Sequence, residues 1–150
     1  MKKYAVFSMV LSLVFLAIAS FSFKDKKGGD IFEVYLNGKQ MLQQFVLVDK
    51  SVKTLQLTST SENDKIEVFY SHCGHTGKSR VLTIRNEKNE LIKEIKFADV
   101  ANRSLMGFYR KDIPKNKSGK MNLYYSSKEL PTAKLLATIS WKENKSIAKL

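Results

Sequence analysis

The sequence predicts an all-β protein: a single-domain antiparallel β-sandwich, Ig-like or jelly-roll-like, of about eight strands. Apolar residues recur with a period of two along short segments from Asp30 onward, the spacing that places them on one face of a strand. Turn-forming sequences separate these segments at near-regular intervals. Because the chain has a single cysteine, apolar packing rather than an intrachain disulfide framework must hold the fold together.

The first strand is defined by Phe32, Val34 and Leu36, which alternate with their neighbours. Asn37-Gly38 follows as a hairpin turn, because both residue types tolerate the positive φ of a type I′ turn. Further strands are predicted at residues 39–48, 52–57, 65–71, 79–85, 90–97, 120–126 and 135–141. The inward residues of the last three are predicted to be Leu91, Ile95, Phe97, Met121, Leu123, Tyr125, Leu135, Ala137, Ile139 and Trp141. Residues 99–119 fit either a helix or a strand, and both alternatives stay open.

The first residues have the layout of a secretory signal peptide. Lys2 and Lys3 precede an apolar run that closes with the small-residue triplet at residues 17–19, so cleavage after Ala19 is expected. The run is shorter than the roughly 20 residues of a membrane span, so no transmembrane anchor is expected after cleavage. The predicted organisation is a signal peptide (1–19), a flexible linker (20–29), the sandwich (30–141) and a polar tail (142–150). We therefore expect an exported protein, periplasmic or secreted.

The charge balance is strongly basic. The chain has 26 Lys and Arg residues against 14 Asp and Glu residues, a net charge of +12, and loss of Lys2 and Lys3 leaves 24 − 14 = +10. Such a surface favours weak, non-specific binding to polyanions. Nearly all the basic residues are lysines, whereas specific phosphate or base recognition relies on the arginine fork, so no specific nucleic-acid binding is expected.

The stretch from Ser71 to Ser79 gathers the residues that could do chemistry. His72, Cys73 and His75 include both histidines and the one cysteine, and imidazole and thiolate suit zinc or copper. We take these three as candidate metal ligands, with Thr76 and Lys78 as possible loop contacts. Adjacent strand-end residues point to opposite faces, so a pair that includes His75 is easier to form than all three ligands together.

This stretch allows three other interpretations. Cys73 could act as a nucleophile with either histidine as base, but the third, orienting group of such a site is not identifiable from the sequence. Gly77-Lys78-Ser79 imitates the end of a phosphate-binding loop, but a β-branched strand pattern follows where that motif needs a helix. The favoured reading makes Cys73 a packed small hydrophobe and the histidines polar loop residues, with no catalytic residue and no required cofactor.

Aromatic residues are predicted on outward faces of the strands. Tyr35, Phe69 and Tyr124 occupy such positions, where they either form a strip that stacks on sugars or pack beneath loops. Packing beneath loops is the favoured interpretation.

Three segments, at residues 32–39, 70–78 and 123–131, resemble a group of small exported proteins from Bacteroidota that has no assigned activity. The resemblance implies a periplasmic or secreted setting and carries over no site residue. Together these observations predict a non-catalytic binding or structural module of the periplasm or cell envelope, with an envelope protein or a glycan as partner. The alternatives are a metal-binding or reactive-thiol protein, and a basic protein that binds polyanions or glycans.

Overall fold

The computed structural model describes residues 29–47, 49–57, 61–113 and 119–141, and these form two packed sheets. The strands are β1 (Ile31–Leu36), β2 (Lys39–Phe45), β3 (Lys53–Leu57), β4 (Lys65–Ser71), β5 (Val81–Asn86), β6 (Leu91–Lys96), β7 (Met106–Tyr109), β8 (Lys120–Ser126) and β9 (Lys134–Trp141). The predicted signal peptide, the tail at 142–150 and all of the predicted linker except its last residue lie outside the described residues. The all-β sandwich predicted from the sequence is confirmed.

The sheets have the orders β2-β1-β4-β7 and β3-β9-β8-β5-β6. Every pairing is antiparallel except that of β3 with β9, which is parallel. Alternate side chains of the two sheets meet in one core cluster whose largest fully buried members include Tyr70, Tyr125, Leu82 and Leu123. No helix of the described ranges is long and apolar enough to cross a membrane.

The first hairpin has the predicted turn. Asn37 and Gly38 have φ values of 50° and 78°, as a type I′ turn requires. The Asn37 side chain also accepts a hydrogen bond from the Lys65 amide at 2.8 Å and donates to Asp64 at 2.9 Å. The turn therefore ties β2 and β1 to the start of β4.

The segment left open between helix and strand is mainly extended. β7 places Met106 and Phe108 in the core, with 0% and 2% exposure, and pairs with β4. A short 3-10 helix (Arg110–Asp112) follows, and buried Ile113 closes the described part of this segment. The described residues thus form nine strands rather than about eight.

Two β-bulges change which residues face the core, relative to the prediction. The register shift between Ile84 and Arg85 leaves Leu91 57% exposed, and Ile92 packs against the core in its place. The shift between Leu123 and Tyr124 brings Leu136, 1% exposed, into the core. The predictions for Leu91 and Leu135 were wrong at these positions because one extra residue in a strand reverses the side-chain alternation.

Strand ends also differ from the prediction. The fifth strand begins at Val81 rather than Ser79, because Ser79 has a φ of 51° and interrupts the extended backbone. The second strand ends at Phe45, where a turn begins that leads towards β3. Both differences lengthen loops: the one between β4 and β5, and the one between β2 and β3.

Candidate functional site

The bend between β4 and β5 carries the chain from one sheet to the other. His72 and His75 pair through two backbone hydrogen bonds of 2.8 and 3.1 Å, with Cys73 and Gly74 between them at φ values of 49° and 99°. The pairing brings the two imidazole rings to 5.9 Å between centroids. Cys73 lies at the tip of the turn and is exposed.

The His72 side chain points into the protein. It is 5% exposed, and its ring packs against Tyr70 at 4.8 Å and Tyr125 at 5.8 Å between centroids. Its Nδ1 atom lies 3.3 Å from the Asp30 carboxylate, which can only accept, so a proton on Nδ1 faces an acceptor. Its Nε2 atom lies 3.0 Å from the Ser127 hydroxyl and 3.1 Å from the Tyr125 hydroxyl. Both ring nitrogens therefore face polar partners in the interior.

Asp30 joins this network to the beginning of the domain. Its carboxylate accepts a hydrogen bond from the Tyr70 hydroxyl at 2.9 Å and lies 3.7 Å from the Cys73 sulfur. Its backbone carbonyl accepts from the Val46 amide at 2.9 Å. One residue thus links β4, the Cys73 turn and the end of β2.

The pKa shifts of Tyr70, Tyr125 and Glu129 reflect burial and hydrogen bonding in this region. Burial and the hydrogen bond to Asp30 raise the pKa of the Tyr70 phenol far above its ordinary value, so Tyr70 remains a neutral donor. Burial likewise raises the pKa of Tyr125, despite its hydrogen bond with Ser127. Partial burial opposes ionisation of Glu129, but hydrogen bonds from the Ser127 hydroxyl and the Lys78 amide leave its pKa below the ordinary value.

Asp30, His72 and Ser127 lie in the order of a Ser-His-Asp triad, which sequence reasoning missed. The approach to it is filled. A Cβ atom added to buried Gly77 would lie 2.7 Å from His72 Nε2 and 2.8 Å from a Glu129 oxygen. The backbone of Gly77 therefore packs against the Nε2 side of His72, the side on which the Ser127 hydroxyl lies.

The backbone amides beside Ser127 are also engaged. The Lys128 amide donates to the Lys78 carbonyl at 2.9 Å, and the Lys78 amide donates to the Glu129 carboxylate at 3.0 Å. Catalysis by such a triad needs amides that can stabilise an oxyanion. The arrangement instead has the properties of a structural joint, which we call the His72 network: Asp30, Tyr70, His72, Tyr125, Ser127 and Glu129.

The predicted site residues thus separate. His72 is interior, whereas Cys73 and His75 are exposed. The Thr76 hydroxyl donates to the Asn102 carbonyl at 3.1 Å, so its contact is with the protein's own loop. The part of the chain that the structure describes contains no group of three or more His, Cys, Asp or Glu side chains arranged to hold a metal ion. Zinc or copper binding by His72, Cys73 and His75 stays a prediction.

The outward aromatics lie on two different sheets. Tyr35 and Phe69 belong to the β1–β4 face, where the Arg103 guanidinium stacks 3.9 Å over the Phe69 ring and donates to the Tyr35 hydroxyl at 2.9 Å. Arg103 also pairs with buried Glu33. Tyr124 lies on the other sheet. Arg103 thus covers Phe69, which is 8% exposed, as expected for aromatics that pack beneath loops.

A groove that the sequence did not predict opens between the edges of the two sheets. It encloses about 370 Å³ between Phe32 and Val46 on one side and Leu135 and Leu136 on the other. It exists because β3 pairs only with residues 137–141 of β9, so the first three residues of β9 extend beyond β3 and line the groove. We call this feature the edge groove.

Exposed apolar side chains concentrate near the edge groove. Leu47 and Val52 line it and are 65% and 47% exposed, and Met41 and Phe45 on the adjoining edge strand are 38% and 53% exposed. Their signal in the sequence is the apolar run that continues past Phe45 into the turn, which sequence reasoning assigned to a longer strand.

In comparisons with known proteins, no protein-family model, no curated protein and no solved structure matches the chain.

Proposed function

We propose that the protein is an exported, non-catalytic binding module of the periplasm or cell envelope, and that the edge groove is its binding site. The observation that carries this proposal is the groove itself: a mostly apolar space of about 370 Å³, lined also by the exposed side chains of Leu47 and Val52. Small-molecule sites in proteins are concave, mostly apolar and of this size.

The His72 network supports a structural rather than a catalytic role for the polar residues. It joins Asp30, the residue that precedes β1, to the β4–β5 bend and to the loop after β8. The Gly77 backbone packs against it. The edge groove lies beside this network, where β3 is shorter than β9, and is the place where a partner can enter.

Binding of an apolar fluorescent probe such as anilinonaphthalene sulfonate tests the proposal. We expect saturable binding to the folded protein, weakened about tenfold by Leu47→Asp, because a charge at the groove mouth opposes apolar contacts. Leu91→Asp is the matched control, since Leu91 is 57% exposed on β6, at the edge of its sheet opposite β3 and β9. Equal losses in both variants, or no saturable binding by the unmodified protein, would contradict the proposal.

Export rests on the leader pattern at residues 1–19. Expression of the full chain in a bacterial host, followed by cell fractionation, should yield a periplasmic or secreted protein whose mass matches cleavage after Ala19. An uncleaved protein in the cytosolic fraction would contradict export.

A second candidate function is metal binding or thiol chemistry at the β4–β5 bend, favoured by the exposure of both Cys73 and His75. Titration with zinc or copper should then show about one equivalent bound, and Cys73→Ser with His75→Ala should abolish it. Uptake equal to that of the double variant would end this candidate.

A further inference from the structure

The edge groove contains a polar side chain with an unusual environment. Gln44 lines the groove and is 5% exposed. Its Nε2 atom donates to the Asp49 carbonyl at 2.7 Å and to the Ser51 carbonyl at 2.8 Å, so the orientation of the amide is fixed. Its Oε1 atom is buried and has no hydrogen-bond partner in the described part of the chain.

A buried acceptor without a donor destabilises the protein that contains it, unless something else supplies the donor. The turn after β2 uses the donor end of the Gln44 amide. The acceptor end is therefore what this side chain offers to an occupant of the groove. An occupant with an O–H or N–H group beside its apolar part would satisfy it.

The charged residues around the groove indicate the charge of the ligand that it would bind. Lys50, Lys134 and Asp49 are the charged residues that line it. The Asp49 carboxylate is engaged by Lys53 at 3.3 Å and by the Ser51 hydroxyl at 2.7 Å, and the latter bond is the main cause that lowers its pKa. The two lysines remain to attract an anionic group at the mouth.

We propose that the edge groove binds a small anionic amphiphile: an apolar chain fills the groove, a hydroxyl or amide N–H near the head donates to Gln44 Oε1, and the anionic head lies near Lys50 and Lys134. The proposal rests on the proposed function and names the ligand class of the same site. A hydroxylated fatty acid has all three properties and serves as the probe.

The first test uses the unmodified protein and two ligands that differ by one hydroxyl, 3-hydroxydodecanoate and dodecanoate. Isothermal titration below micelle-forming concentrations should show the hydroxylated acid binding about tenfold or more tightly, because a site with a buried polar group discriminates against a ligand that leaves it unpaired. Affinities equal within about twofold would overturn the proposal.

The second test concerns the head group. Lys134→Glu should weaken binding of 3-hydroxydodecanoate about tenfold and leave binding of the neutral dodecanol nearly unchanged. Lys88→Glu makes the same charge change in the β5–β6 turn and should alter neither affinity by more than about twofold. Equal effects of the two substitutions on 3-hydroxydodecanoate would overturn the proposed position of the anionic head.

The Gln44→Met variant adds a direct test of the amide. If it folds, the two acids should bind to it with equal affinity, and retained discrimination would overturn the role of Gln44. If it does not fold, the comparison of ligands on the unmodified protein still decides.

The outcomes separate this inference from the proposed function. Saturable probe binding without hydroxyl discrimination would remove the ligand class and leave the binding module in place. Absence of binding by any apolar probe would remove both. A concentration-dependent dimer that Leu47→Asp dissociates would make a second copy of the chain the occupant and would also overturn the ligand class.

Discussion

At the scale of single residues, His72 illustrates how burial changes the meaning of a motif. The sequence places His72, Cys73 and His75 together, and the fold separates them: one enters the interior and two stay at the surface. The partners of His72 are Asp30, Tyr125 and Ser127, which lie 42, 53 and 55 residues away in the sequence. No local pattern could predict these contacts, because they depend on which strands become neighbours in space.

The His72→Ala variant tests the structural role of the network. The substitution leaves a cavity and removes the partner of the partly buried Asp30 carboxylate and of two buried hydroxyls, so the free energy of unfolding should fall by about 3 kcal/mol. Urea denaturation measures it. The matched His75→Ala change, at an exposed position, should cost less than about 0.5 kcal/mol. Similar losses for the two variants would contradict the assignment of His72 as the structural residue.

Glu129 should make stability depend on pH. Its folded-state pKa is lowered from 4.5, so its contribution to stability is present above pH 4.5 and is lost as the pH falls through the folded pKa. The difference in unfolding free energy between the unmodified protein and Glu129→Gln should therefore shrink on acidification from pH 6 to about pH 3. Urea unfolding at several pH values measures this difference, and a difference that grows as the pH falls would contradict the assignment.

At the scale of elements, the sequence predicted strands well and bulges poorly. Asn37-Gly38 fixed the first hairpin because the required backbone conformation is encoded in two residue types. The bulges near Leu91 and Leu136 depend instead on the partner strand, which the sequence of one strand does not reveal. Residues 99–119 stayed ambiguous for a related reason, since the four-residue strand β7 within them is too short for its periodicity to exclude a helix.

Replacement of neighbouring leucines in β9 tests the second bulge. Leu136 is 1% exposed, so Leu136→Ala should lower the free energy of unfolding by about 2–5 kcal/mol. Leu135 is only partly buried, and Leu135→Ala should cost clearly less. Denaturant unfolding of both variants measures which loss is larger. A larger loss for Leu135→Ala would contradict the bulge and support the regular alternation predicted from the sequence.

At the scale of the whole molecule, two neighbouring regions of the sandwich differ in chemistry. The His72 network is polar and closed, whereas the edge groove beside the turn after β2 is open and mostly apolar. Asp30 contacts both regions, because its carboxylate joins the network and its carbonyl accepts from Val46, which lines the groove. The sequence predicted the sandwich but not the groove, since a gap between sheet edges follows from unequal strand lengths in space.

The net charge of +12 predicts the last property of the whole molecule, weak binding to polyanions without a dedicated site. Retention on heparin should fall steeply with salt, because binding releases counterions. If no single site is responsible, Lys88→Glu and Lys134→Glu should reduce retention equally, since each removes the same charge from an exposed position. The hydroxylated acid should behave differently, since of these two substitutions only Lys134→Glu should weaken its binding. A variant that alone abolished heparin retention would reveal a specific polyanion site and contradict the prediction.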